Sequence, residues 1–82
     1  MITIESIREA RRRIAPFIYE TPLLRLHNLD EYLGCQVYAK LESLQKTNSF
    51  KVRGALNALL TMSQVDRERG IIAASSGNHG KA

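Results

Sequence analysis

Apolar residues at the start of the chain recur at helical spacing: Ile4, Ile7 and Ile14 mark one face, with Ala10 between them. Thr3 is placed to cap that helix and Pro16 to close it. Thr21-Pro22 forces an extended or turn conformation ahead of Leu23, Leu24 and Leu26. A short turn of helix starting at Asn28 or Asp30 and ending at Gly34 fits next. Val37, Ala39 and Leu41 alternate with Tyr38, Lys40 and Glu42, the period of a half-buried strand. Leu44 to Ser49 is polar and reads as loop. The strongest signal follows. Val52, Ala55, Leu56, Leu59 and Leu60 fall at i, i+3, i+4, i+7 and i+8, which predicts an amphipathic helix capped by Asn48 or Ser49. Ser63 to Gly70 is a charged connector, and Ile71-Ile72-Ala73-Ala74 predicts a short buried strand. That strand runs into the small-residue turn Ser75 to Gly80, where another helix begins. The order of elements places the chain in the α/β class.

Composition narrows the classes of function. With 82 residues, 44% hydrophobic and 24% charged, the chain is neither disordered nor low in complexity. Apolar runs such as Ile71 to Ala74 are far too short for a transmembrane helix. A single cysteine, Cys35, gives no internal disulfide. The start lacks the apolar run of a secretory signal, and Glu5 and Glu9 argue against a mitochondrial presequence, so a soluble cytoplasmic chain is expected. The net charge of +4 raises a nucleic-acid reading, but Arg11-Arg12-Arg13 is the one basic run and Glu9 lies within a turn of it. No zinc pattern or aromatic platform accompanies it, so a solvated helix face is expected instead.

Three features carry candidate chemistry. Lys51 falls in the first turn of the strongest helix, where the dipole opposes a cation, and Arg53 adds a second positive charge. With desolvation, both would favour the neutral amine that attacks a carbonyl. The residues themselves also allow an ordinary surface lysine. The turn Ser75 to Gly80 offers small residues, two hydroxyls and a helix start, a cradle for a carboxylate or phosphate or else a plain strand-to-helix turn. It is not a Walker A loop, because Ala82 follows Gly80-Lys81 and Ser75 stands in place of the first glycine. His79 is the third and weakest feature, and with His27 and Cys35 so separated no metal site is expected. A helix followed by a returning strand brings Lys51 and Ser75–His79 to one edge, where ligands bind in α/β proteins.

The segment Leu41-Glu-Ser-Leu-Gln-Lys-Thr-Asn-Ser-Phe-Lys51-Val-Arg-Gly-Ala55 resembles the cofactor-lysine segment of fold-type II pyridoxal-phosphate enzymes, nearest the threonine/serine dehydratases and serine racemases. Ala74-Ser-Ser-Gly-Asn-His-Gly80 resembles their substrate-carboxylate loop, and Thr21-Pro22-Leu23 their start. The resemblance implies the N-terminal part of a tryptophan-synthase-β-like, three-layer αβα enzyme of two domains. Residues 1–48 would then pack on the large domain, and 49–82 would open the cofactor-binding region. By that likeness Lys51 binds pyridoxal 5'-phosphate as an internal aldimine and later removes the substrate Cα proton. Phe50 packs on the cofactor ring, and Asn78 bonds its ring hydroxyl. Ser75, Ser76, Gly77, Asn78 and His79 hold the substrate carboxylate. Ser76 matches the second base of the racemases, which keeps racemisation open beside β-elimination of threonine or serine to a 2-oxo acid and ammonia. Lys46 and Thr47 match positions that touch ATP in eukaryotic serine racemases, although on their own they read as a solvated loop. The likeness implies a small amino-acid substrate and a homo-oligomer at full length, with no nucleic acid and no membrane. Family members are several times longer and supply a glycine-rich phosphate loop from later sequence. The 82 residues alone are therefore expected to be inactive, and a truncated folding or interaction module is the reading of another class.

Overall fold

The computed structural model describes residues 1–72 and 77–82. Helix α1, Ile4–Ile14, opens on a reciprocal cap. The Ser6 amide donates to the Thr3 hydroxyl at 3.1 Å, and the Thr3 amide donates to the Ser6 hydroxyl at 3.0 Å. Arg11, Arg12 and Arg13 occupy its last turn, where the helix dipole favours cations. Pro16 follows in a 3-10 turn, Ala15–Phe17, as the sequence predicts. Only Ile14 of the predicted apolar face is buried, while Ile4 and Ile7 remain exposed.

Strand β1, Leu23–Arg25, pairs antiparallel with β2, Tyr38–Lys40, placing Leu24 opposite Ala39. Ala39 is half-buried and its neighbours Tyr38 and Lys40 are exposed, as the alternation requires. Between the strands, α2 spans His27–Leu33 and ends at Gly34, whose φ of 69° suits glycine. It starts earlier than Asn28 or Asp30 because the Leu26 carbonyl accepts the Leu29 and Asp30 amides at 2.9 and 3.3 Å. Asp30 is engaged elsewhere. Its carboxylate accepts the Val37 amide at 2.7 Å and the Arg25 guanidinium at 2.6 Å, pinning the approach to β2 onto the end of β1.

A 3-10 turn at Glu42–Leu44 leads to Asn48, which has a φ of 60°, and then to α3, Lys51–Thr61. Asn48 therefore turns the chain and does not cap the helix. Phe50 precedes α3 in helical backbone geometry with no side-chain cap, and the Ser49 hydroxyl accepts the Lys51 amide at 3.3 Å. Val52 is buried, and Ala55, Leu56, Leu59 and Leu60 are half-buried along the predicted stripe. Helix α3 packs on α1, where the Arg13 guanidinium donates to the Asn57 side-chain oxygen at 2.6 Å. The arginine run is thus only partly a solvated face.

The charged connector contains a one-turn helix, α4, Gln64–Glu68, because the Ser63 hydroxyl accepts the Asp66 amide at 3.2 Å. Ile71 and Ile72 do not form the predicted buried strand. They are exposed, and among the described residues the sheet consists of β1 and β2 alone, with neither isoleucine paired to it. Ala73 and Ala74 of that strand lie outside the described residues. A helix does begin, within the predicted turn: α5, Asn78–Lys81, packs against α3. The radius of gyration is 16.1 Å, against about 12 Å for a compact domain of this length. Among the described residues the buried apolar core is Ile14 and Val52.

Candidate functional site

Lys51 is the first residue of α3 and is exposed, as is Phe50 before it. With Arg53, Gly54 and Ala55 they line a hollow of about 320 Å³. A Cβ placed on Gly54 would meet nothing within 4 Å, so glycine here leaves open a space that a side chain would enter. A primary amine, an aromatic ring and a bare stretch of helix backbone therefore share one concavity. That set suits a flat aromatic aldehyde, which needs an amine for its carbonyl and apolar contact for its ring. The desolvation invoked from the sequence is not supplied by the described residues, since Lys51 stands in the open.

Close by the amine's helix lies a polar hub that no apolar pattern announces. The Arg53 amide closes the first turn of α3 by donating to the Phe50 carbonyl at 3.0 Å, and the Arg53 guanidinium pairs with Glu42. The other Glu42 oxygen accepts the Thr21 hydroxyl at 2.5 Å and the Gln45 amide at 3.4 Å. Gln45, at 2% exposure, also clamps Tyr19 from both sides. It donates to the Tyr19 carbonyl at 2.9 Å and accepts the Tyr19 amide at 2.7 Å. The Lys40 ammonium donates to the Thr21 carbonyl, and the Lys46 ammonium lies 5.2 Å from the centre of the Tyr19 ring. The stretch read as loop is therefore part of the interior framework. The Thr47 hydroxyl is buried with no partner among the described residues. One sequence signal pointed this way: Glu42 and Gln45 stand three apart, on one side of a 3-10 turn.

The hydrogen bond from Arg53 holds the Glu42 carboxyl below its ordinary value of 4.5, with burial opposing and the Thr21 hydroxyl reinforcing the shift. A carboxyl depressed by folding stabilises the native state above its unfolded pKa, and that stability is lost as pH falls through the folded value. Denaturant titrations from pH 7 to pH 3 are expected to show stability falling below about pH 4.5. Part of this fall is expected to vanish in Glu42→Gln, which is less stable at pH 7 but flatter in acid. Parallel curves for the two proteins would refute the assignment.

The remaining predicted site residues are reached only in part. Gly77 is exposed, its carbonyl accepts the Lys81 amide at 3.3 Å, and a Cβ there would meet nothing within 4 Å. Asn78 and His79 open α5, whose contact with α3 makes the lysine's helix and the helix after the turn neighbours. Ser75 and Ser76 lie outside the described residues, and the meeting of Lys51 with Ser75–His79 therefore does too. Among the described residues no group of three or more His, Cys, Asp or Glu side chains is placed to hold a metal ion, and no helix is long and apolar enough to cross a membrane.

Comparison with known proteins adds an independent line. A sequence model for a family described as pyridoxal-phosphate dependent enzyme matches residues 14–82. The L-threonine ammonia-lyase of Thermotoga maritima is 47% identical over 79 residues, covering 96% of this chain and 20% of that protein. The serine racemase of Dictyostelium discoideum is 43% identical over 81 residues, covering 99% of this chain and 25% of that one. The crystal structure of serine racemase from Dictyostelium discoideum superposes with a TM-score of 0.88 at 42% identity, over 98% of this chain and 26% of that chain. The chain thus spans about a quarter or less of the length of these relatives.

Proposed function

Since the chain belongs to the pyridoxal-phosphate dependent enzyme family, we propose that it carries the cofactor lysine of an ammonia-lyase. That enzyme removes the β-hydroxyl of L-threonine, L-serine or a related hydroxy amino acid and releases a 2-oxo acid and ammonia. The observation that carries this reading is the amine of Lys51 at the head of α3, in a hollow walled by Phe50 and left open at Gly54. Pyridoxal phosphate, when bound, supplies an aldehyde for that amine and an electron sink for the charge left on the substrate Cα. The chain's own residues do the rest. The Lys51 Nζ anchors the cofactor and then takes the Cα proton, while Phe50 covers the ring and keeps water from it. Asn78 holds the ring hydroxyl. Ser75, Ser76, Gly77, Asn78 and His79 orient the substrate carboxylate at the start of α5.

The likeness to serine racemases at 43% identity favours a second reading, racemisation with Ser76 as the base on the opposite face. In either case residues 1–48 form an N-terminal segment on the large domain, and 49–82 open the cofactor-binding region. The intact protein is a cytoplasmic homo-oligomer that acts on small amino acids, and the 82 residues alone turn over nothing. The test is borohydride reduction of the intact protein with pyridoxal phosphate, peptide mapping of the labelled lysine, and product analysis with L-threonine and L-serine. Label on Lys51 with 2-oxo acid and ammonia is expected. D-serine as main product would select the racemase, and label on Lys46 or Lys81 would overturn both readings.

A further inference from the structure

A hollow of about 450 Å³ on the described surface is lined in part by Arg11, Tyr19 and Lys40, and a second one holds Lys51. Arg53 is the residue common to both. Its place in the helix and the place of its charge are both fixed. The backbone amide is bonded to Phe50 in the turn that presents Lys51, and the guanidinium is bonded to Glu42 outside that helix. Beyond the burial of Val52, little among the described residues holds the start of α3, which has no side-chain cap and receives the long 3.3 Å contact from Ser49.

Glu42 is well placed to act as the fixed end of this link. Its side chain is 14% exposed, and it takes hydrogen bonds from Gln45 at the end of its own turn and from two other segments, through Thr21 and Arg53. Thr21 is itself held through its carbonyl by Lys40, and Gln45 through both of its polar atoms by Tyr19. A half-buried ion pair of this kind is a weak source of net stability, because desolvation offsets most of the attraction. What it provides is a fixed geometry, since a guanidinium and a carboxylate satisfied on both oxygens have few alternative arrangements.

We infer that Glu42 is a positioning residue for Lys51: by holding Arg53 it ties the first turn of α3 to the Thr21 segment and sets where the amine stands in its hollow. The inference rests on the proposed role of Lys51. Misplacing a reacting group by about 1 Å costs up to roughly a hundredfold in rate, so a partial loss of this anchor is expected to cost about tenfold.

The experiment uses the intact protein with pyridoxal phosphate and the variants Glu42→Gln, Arg53→Lys, the double variant Glu42→Gln/Arg53→Gln, and Ile14→Ala as a control. Ile14 is buried at the end of α1 and makes none of the hydrogen bonds to Glu42, so its truncation is expected to lower stability and leave those bonds in place. The rate of borohydride trapping at Lys51, the visible circular dichroism of the bound cofactor, and the split between kcat and KM are read together. Glu42→Gln and Arg53→Lys are expected to slow trapping and lower kcat about tenfold while KM changes less than about twofold, with the double variant no worse than either. Ile14→Ala should lower the melting temperature and leave the trapping rate as it was. Trapping at the original rate in Glu42→Gln, or equal slowing in Ile14→Ala, would reduce Glu42 to a structural ion pair. Failure of the unsubstituted protein to bond the cofactor at Lys51 would instead overturn the proposed function.

Discussion

Lys51→Ala in the intact protein is expected to abolish borohydride trapping of pyridoxal phosphate and to lower ammonia release from L-threonine by about a thousandfold or more. Two roles are lost together, since the same Nζ anchors the cofactor and moves the proton. Lys51→Arg separates charge from nucleophilicity. It keeps the positive head at the start of α3, but a guanidinium is never deprotonated in the working range and does not attack a carbonyl. The two variants should therefore be equally inactive. A small primary amine added to Lys51→Ala should restore part of the proton transfer, because the hollow beside Gly54 has room for it. An alanine variant that keeps a tenth of its activity would show that Lys51 is a surface lysine after all.

Gln45→Ala is expected to cost about 1–3 kcal/mol in denaturant unfolding of the intact protein. The truncation leaves the Tyr19 amide and carbonyl without their partners at 2.7 and 2.9 Å, in a place where Gln45 is 2% exposed while Tyr19 itself is 54% exposed. An unmade hydrogen bond inside a protein costs the full desolvation of the group left behind, which is why two orphaned groups outweigh the loss of one surface pair. Gln45→Glu should be at least as damaging despite its matching shape. It replaces the amide that donates to the Tyr19 carbonyl with an acceptor, and it sets a second carboxylate 3.4 Å from Glu42. A cost below about 1 kcal/mol for the alanine variant would mean that water refills the space and the clamp on Tyr19 is dispensable.

Helices α1 and α3 were legible because their apolar residues repeat at the helical period, and a period survives whatever the helix packs on. Lys51 was legible by place, as the first residue of α3, and by its likeness to a known lysine segment. The hub was not, since Thr21, Glu42 and Gln45 carry no apolar pattern, and polar loop residues bury only when distant partners meet them. Asp30 misled for a related reason: its carboxylate suits a cap, yet a stronger use at the Val37 amide lay seven residues away. The strand expected at Ile71 and Ile72 failed because a strand is a property of a pair, and sequence alone does not supply the neighbour.

The bond between Arg13 and Asn57 closes a span of 44 residues, and it has a meaning for synthesis as well as for the folded state. At about 5–20 residues per second, helix α1 leaves the ribosome roughly 2–9 s before the part of α3 that receives it. Its reciprocal cap at Thr3 and Ser6 forms from local residues alone, so the helix can exist during that interval while Ile14 stands uncovered. Helix α1 is thus a stretch that chaperones on the nascent polypeptide would hold until Asn57 emerges.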